Sequence, residues 1–142
     1  YIVNNSISGK NLNQIIEKKN KKITSELKIL GKKLEEKKNK IVSQRNILKK
    51  DDLDNLVKIY EDEAQKFNEI RKKKRDEFNS FNIKSKKKII DLLNPLITNY
   101  LNKESIQMLF QKDKIVFGND TLDITKEILK LFDDKYKKIQ FE

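Results

Sequence analysis

Apolar residues return every three or four positions along the first third of the chain: Leu12, Ile15, Ile16, Ile23, Leu27, Leu30, Leu34, Ile41 and Leu48, with Lys37 and Gln44 in the slots between the last three. The spacing follows one face of an α-helix and is narrow enough for a coiled-coil seam. Lys49-Lys50-Asp51-Asp52 interrupts it, and Asp51 or Asp52 suits the cap of a following helix. A second seam then runs through Leu53, Leu56, Tyr60, Ala64, Phe67, Ile70, Phe78, Phe81, Ile89, Leu92 and Leu96. Two such seams joined by a short polar connection predict an antiparallel helical hairpin over residues 11–96, each arm reaching about 60 Å at the α-helical rise. Gly31 weakens the first helix by about 1 kcal/mol relative to alanine. Pro95 predicts a kink in the second, where the arm would enter whatever body anchors it.

The ends of the chain read differently. Tyr1-Ile2-Val3 is β-prone, and Asn4 to Gly9 reads as a turn, so residues 1–10 are expected to form a first strand and turn. After Lys103 the period shortens to two: Ile106, Met108 and Phe110 alternate with Gln107, Leu109 and Gln111, then Ile115 and Phe117 alternate with Lys114 and Val116. Lys112-Asp113 turns between the two runs, which predicts a β-hairpin. Beyond Gly118-Asn119-Asp120 an amphipathic helix runs through Ile128, Leu131, Phe132 and Tyr136, with Thr125 as N-cap and Glu127 placed for the helix dipole. Residues 97–142 thus hold the end of the arm, a hairpin and a short helix. The fold class expected is α+β, mostly α.

Charge changes the picture more than length does. Of 142 residues, 33 are basic and 22 acidic, giving +11, and only Arg45, Arg71 and Arg75 among the cations are not lysine. A lysine-biased genome would account for the lysine preference, but not for its placement. Residues 106–142 are neutral, seven lysines against seven acids, so the whole excess lies in residues 1–105. An electropositive surface for acidic partners needs that distribution. A chain 39% charged and 36% hydrophobic, with one proline, suits long helices; disorder is the rival, and the periodicity argues against it. With no cysteine or histidine, disulfides, thiol or imidazole chemistry and common zinc sites are excluded. No apolar run approaches the roughly 20 residues of a membrane span, and the N-terminus lacks a signal-peptide pattern.

The segment Ile106-Gln-Met-Leu-Phe-Gln-Lys-Asp-Lys-Ile-Val-Phe-Gly118, followed by Leu122-Asp-Ile-Thr-Lys-Glu-Ile-Leu129, resembles the C-terminal signature of the Skp (OmpH-like) family, with Asp123-Ile124-Thr125 the most specific piece. Together with the N-terminal Ile-Val and two lysine-rich arms in the same order, the resemblance covers nearly the whole chain. It implies a jellyfish-like homotrimer, with long helical hairpins carried on a small β body built by all three chains. Ile2, Val3, Met108, Phe110, Ile115 and Phe117 would form that body, with Ile124, Ile128 and Leu131 packing the last helix on it. The implied function is an ATP-independent periplasmic holdase, without cofactor, whose own signal peptide has been removed and whose clients are unfolded outer-membrane β-barrel proteins. The family's second helix has a basic cluster linked to lipopolysaccharide. Lys84, Lys86, Lys87 and Lys88 are the nearest match here, although the arginine-rich pattern is not preserved; an anionic membrane surface is a related partner.

A holdase needs many weak, forgiving contacts, because its clients have no fixed shape. Lysine-rich arms suit that, and Lys49, Lys50, Lys72, Lys73 and Lys74 are candidate client contacts. Phe67, Phe78 and Phe81 are candidates for apolar contact, although a stripe at helical spacing is more often internal packing. A basic coiled coil binding nucleic acid or another anionic surface is the alternative. Zinc-finger spacing, an aromatic stacking platform and arginines for base edges are missing, so no specific nucleic acid is expected. A prefoldin-like arrangement would put hairpins between the long helices, whereas here the β-prone runs flank them. An enzyme has no support: Gly9, Gly31 and Gly118 form no phosphate loop, and the carboxylates lie on solvated helix faces.

Overall fold

The computed structural model describes residues 1–141 as four α-helices: α1 (Ile2–Asn5), α2 (Ile7–Gln44), α3 (Lys50–Lys103) and α4 (Thr125–Lys135). Two single 3-10 turns, Lys112–Lys114 and Asp120–Leu122, punctuate the stretch before α4. The long helices end where the chemistry dictates. Five residues, 45–49, connect α2 to α3, and Asp51 and Asp52 sit inside the first turn of α3 rather than capping it. There they still oppose the positive end of the helix. α3 continues past Pro95 to Lys103.

The chain divides into two compact units, one of residues 1–16 and 81–142, the other of residues 17–80. The first holds every fully buried apolar side chain among the described residues: Leu12, Phe81, Ile89, Leu93, Ile128, Phe132 and Ile139. Ile2, Val3, Ile15, Leu92, Leu96, Ile124 and Tyr136 pack partly buried around them. Ser85, on the same buried face of α3, leaves its hydroxyl without a hydrogen bond.

Residues 1–3 are not a strand. The Ile2–Asn5 turn is helical, and Asn4–Gly9 runs from the end of α1 through Ser6 into the start of α2. Tertiary packing overrides the β preference of Ile2 and Val3, since α1 lies against α4 and its two apolar side chains join the core. Ser6 caps α2: its hydroxyl accepts from the Gly9 amide at 3.0 Å. Asp133 of α4 accepts from the Ile7 amide at 2.7 Å, and the Ser8 hydroxyl donates to the Tyr136 carbonyl. Gly9 is required by contact, not by its backbone angles. A Cβ there would lie 2.0 Å from the Val3 carbonyl oxygen.

Residues 106–117 form no β-hairpin, and no strand is present among the described residues. The backbone is nevertheless extended at Gln111 (φ −69°, ψ 134°) and Ile115 (φ −97°, ψ 118°), on either side of the Lys112–Lys114 turn. A ladder needs a neighbouring edge, and isolated two-stranded hairpins are marginal in water. The sequence therefore has the β pattern and the turn without a paired edge.

Thr125 is not the N-cap of α4. It is the first helical residue, and Asp123 receives its amide at 3.0 Å while Lys112 Nζ lies 2.6 Å from the other Asp123 oxygen. The Lys112 ammonium, then the hydroxyl and amide of Thr125, hold the Asp123 carboxyl far below the usual carboxylate range. A depressed folded-state value means stability that is complete above the unfolded value and lost as pH falls toward the folded one. The thermal stability of the wild type over Asp123→Asn should accordingly shrink as pH drops below about 4. A difference constant from pH 6 to pH 2 would contradict the clamp.

Candidate functional site

In the second unit, residues 17–44 and 50–80 form an antiparallel helical pair. Ile23, Leu27, Leu30, Leu34 and Ile41 of α2, Leu48 of the connection, and Leu53, Leu56, Tyr60, Ala64, Phe67 and Phe78 of α3 lie half-buried along the seam. None of the residues 17–80 is fully buried. Two ion pairs cross the pair: Lys74 lies 2.5 Å from Glu26, and Lys37 holds both carboxylate oxygens of Glu63, 2.6 Å from Oε2. In both pairs the residue numbers total 100, so the bridges mark one register. Lys37, a polar intruder in the heptad pattern, thus has a purpose at the seam's edge. Lys74 holds the Glu26 carboxyl below its ordinary value. These are partly exposed pairs, screened by salt, and they specify alignment more than they add stability.

Around the seam the unit is a field of cations. Twenty basic residues face thirteen acids between Glu17 and Ser80. Lys49 is exposed in the connection, and Lys50 opens α3. Lys72 and Lys73 are exposed, whereas Lys74 is half-buried and occupied by Glu26. Phe67 packs across from Gly31, and Phe78 lines a groove with Ile23 and Leu27. Phe81 is 8% exposed in the core of the first unit, so its ring is not offered to solvent.

The other basic candidates separate by role. Lys88 Nζ donates to the Gln140 carbonyl at 2.9 Å and ties the C-terminal segment to α3, while Lys87 pairs with Asp91 one turn on. Lys84 and Lys86 are exposed, on opposite flanks of the buried stripe that holds Phe81, Ser85 and Ile89. The four lysines therefore make no single cationic face.

In the first unit the body candidates divide likewise. Ile128 is buried, Ile2, Val3 and Ile124 are half-buried, and Leu131 is 41% exposed. Met108, Phe110, Ile115 and Phe117 are exposed, and so are Leu109, Val116 and Leu122. Val116 and Phe117 are open to solvent almost completely, at 102% and 96%. Beneath Leu109 to Asp113 a hollow of about 670 Å³ is lined by Ile2, Val3, Leu93, Ile97 and Ile128. So much unpartnered apolar surface in 15 residues is unusual for a surface segment and makes it a candidate interaction site.

Sequence reading missed the polar devices that join α2 to the α4 region, Asp133 on the Ile7 amide and Ser8 on the Tyr136 carbonyl, because a partner supplied from elsewhere in the chain leaves no local pattern; the Ser6 cap is local, three residues from Gly9, and lay within the stretch read as a turn. Sequence reading also passed over Arg71. The available signal was that two of three arginines stand four residues apart.

No helix among the described residues is long and apolar enough to cross a membrane. No curated protein sequence matches the chain. Among solved structures, the chain is similar to a protein of Caulobacter crescentus CB15 described as an OmpH-like outer membrane chaperone, at a TM-score of 0.89 and 16% identity, covering 99% of this chain and 83% of that one. At that identity the likeness is one of fold. The family model for outer membrane protein (OmpH-like) matches residues 1–132. A match running from Tyr1 to Phe132 takes in both long helices, the extended segment and most of α4, and the chain belongs to the OmpH-like outer membrane protein family.

Proposed function

We propose that this chain is an ATP-independent periplasmic holdase that gathers unfolded outer-membrane β-barrel proteins against its lysine-rich helical pair and keeps them from aggregating. The observation that carries this reading is the distribution of surface: a helical pair with an excess of seven positive charges, no fully buried residue and shallow apolar grooves. Long-range attraction draws in a chain with negative charge, and many small apolar contacts then hold it without demanding one shape. Family membership and the chaperone of like fold support the same function.

Self-association belongs to the proposal. The exposed run from Met108 to Phe117 has β-prone side chains, extended backbone and an apolar hollow beneath it, all suited to burial against other copies as a homotrimer body. Pairing between copies would supply the neighbouring edge that a single chain lacks. Lys84, Lys86 and the other free lysines remain available for lipopolysaccharide or an anionic membrane surface.

The test is light scattering of a urea-unfolded outer-membrane barrel protein diluted into buffer without ATP, with and without a molar excess of this chain, at low and high salt. Suppressed scattering that weakens with salt is expected. Scattering unchanged at either salt would remove the holdase reading and favour the basic coiled coil that binds nucleic acid.

A further inference from the structure

The groove beside Phe78 differs from the rest of the cationic surface. Ile23 and Leu27 of α2 and Phe78 of α3 make its floor, and Arg71, Lys72 and Arg75 stand at its rim, around a volume of about 700 Å³. That lies within the range of ligand pockets. Arg71 and Arg75 are one helical turn apart on the same side of α3, so both guanidinium groups can reach one anion. Neither has a hydrogen bond or ion pair, in contrast to Lys74 between them, which Glu26 occupies. Lysine would serve a diffuse field equally well, and thirty of the 33 cations are lysine. Arginine adds a planar fork that binds a carboxylate through two parallel hydrogen bonds.

The ligand can be narrowed further. The apolar floor is three side chains long and is bounded by Asn20 and Asn68, whose amides can bond a peptide backbone. A floor of that size accommodates one or two amino-acid side chains, whereas an acyl chain needs a longer apolar track.

We propose that Arg71 and Arg75 form a carboxylate fork that, with the floor of Ile23, Leu27 and Phe78, holds an aspartate or glutamate flanked by apolar residues in an unfolded polypeptide. The inference rests on the proposed holdase function for its choice of polypeptide as ligand. It adds a preferred point of attachment within an otherwise diffuse surface.

The chain has no tryptophan, so the emission of a tryptophan-containing peptide reports binding without interference. The probe is an uncharged-end peptide with one glutamate between leucine and tryptophan, compared with its glutamine twin at constant ionic strength. The glutamate peptide is expected to bind the wild type about ten-fold more tightly than its twin. The double variant R71K/R75K keeps the net charge and should abolish that advantage, with its helical circular dichroism unchanged because both side chains are exposed. An advantage that survives in the double variant would mean that the general field alone is at work, and would overturn the fork. So would failure of both peptides to bind the wild type. Loss of binding to phosphatidylglycerol vesicles, with peptide binding intact, would overturn it in favour of a lipid headgroup. Failure of the peptide alongside suppressed scattering of the barrel protein rejects the fork and leaves the holdase; the reverse pattern rejects the holdase and leaves the fork.

Discussion

Replacing Phe132 with alanine is expected to destabilise the terminal unit by about 3–5 kcal/mol, a large fraction of the roughly 5–15 kcal/mol that holds an ordinary domain folded. Phe132 is 0% exposed, its ring centroid is 5.1 Å from that of Tyr136, and it belongs to the same core as Leu12, Ile89 and Ile128. Removing the ring leaves a cavity beneath α4, which neighbours on three other segments cannot all close. The loss should extend to the Asp133 cap on Ile7 and the Ser8 bond to the Tyr136 carbonyl, since both depend on where α4 lies. Urea unfolding followed by circular dichroism gives the measurement. Leu131→Ala, one residue earlier and 41% exposed, is the comparison and should cost under about 1 kcal/mol. Equal effects at the two positions would mean that α4 is not packed as described.

Alanine at the two helical glycines should have opposite effects. At Gly31 the nearest atom to a new Cβ is Phe67 Cζ, at 3.7 Å, an ordinary van der Waals contact. Gly31→Ala should therefore stabilise the protein by about 1 kcal/mol through helix propensity. At Gly9 the same gain in propensity meets the Val3 carbonyl oxygen at 2.0 Å and carbon at 2.8 Å. Backbone atoms cannot rotate aside as a side-chain tip can, so α1 must lift from the start of α2 and withdraw Ile2 and Val3 from the core. Overpacking of this kind costs about 1–3 kcal/mol, which exceeds the gain. Thermal melts of the two variants beside the wild type decide the matter. A stabilised Gly9→Ala would show that the close approach of α1 to α2 is not needed.

The helical part of this architecture was legible in the sequence because its signals are local and repeated. The three- and four-residue steps of the two seams led directly to α2 and α3, and Ile128 and Phe132 to the buried face of α4. What was not legible depends on partners distant in sequence. Ile2 and Val3 have strand-like side chains, yet they lie in a helix because α4 covers them. Thr125 has the right chemistry for a cap, but Asp123, already drawn to Lys112, takes its amide. The alternation from Ile106 to Phe117 is β-like and remains unpaired within one chain. Candidate client contacts were separated in the same way: nothing local distinguishes exposed Lys73 from Lys74, which Glu26 occupies, or half-buried Phe78 from buried Phe81.

The absence of any fully buried residue between Glu17 and Ser80 has a kinetic consequence. Each rung across this helical pair contributes little, and the rungs close loops of steadily increasing length. Lys37 meets Glu63 across 26 residues and Glu26 meets Lys74 across 48. Closing the first rungs beside the connection is fast, and each later one adds only a small further loop entropy. The pair should therefore assemble like a zipper from residues 45–49 outward, with its last rungs nearest the two ends of residues 17–80. Opening has no large cooperative barrier to cross, so amide exchange there should proceed by sub-global fluctuations well below the cost of melting the core of Phe132 and Ile89. A surface that reshapes itself rung by rung can follow the contour of whatever lies against it.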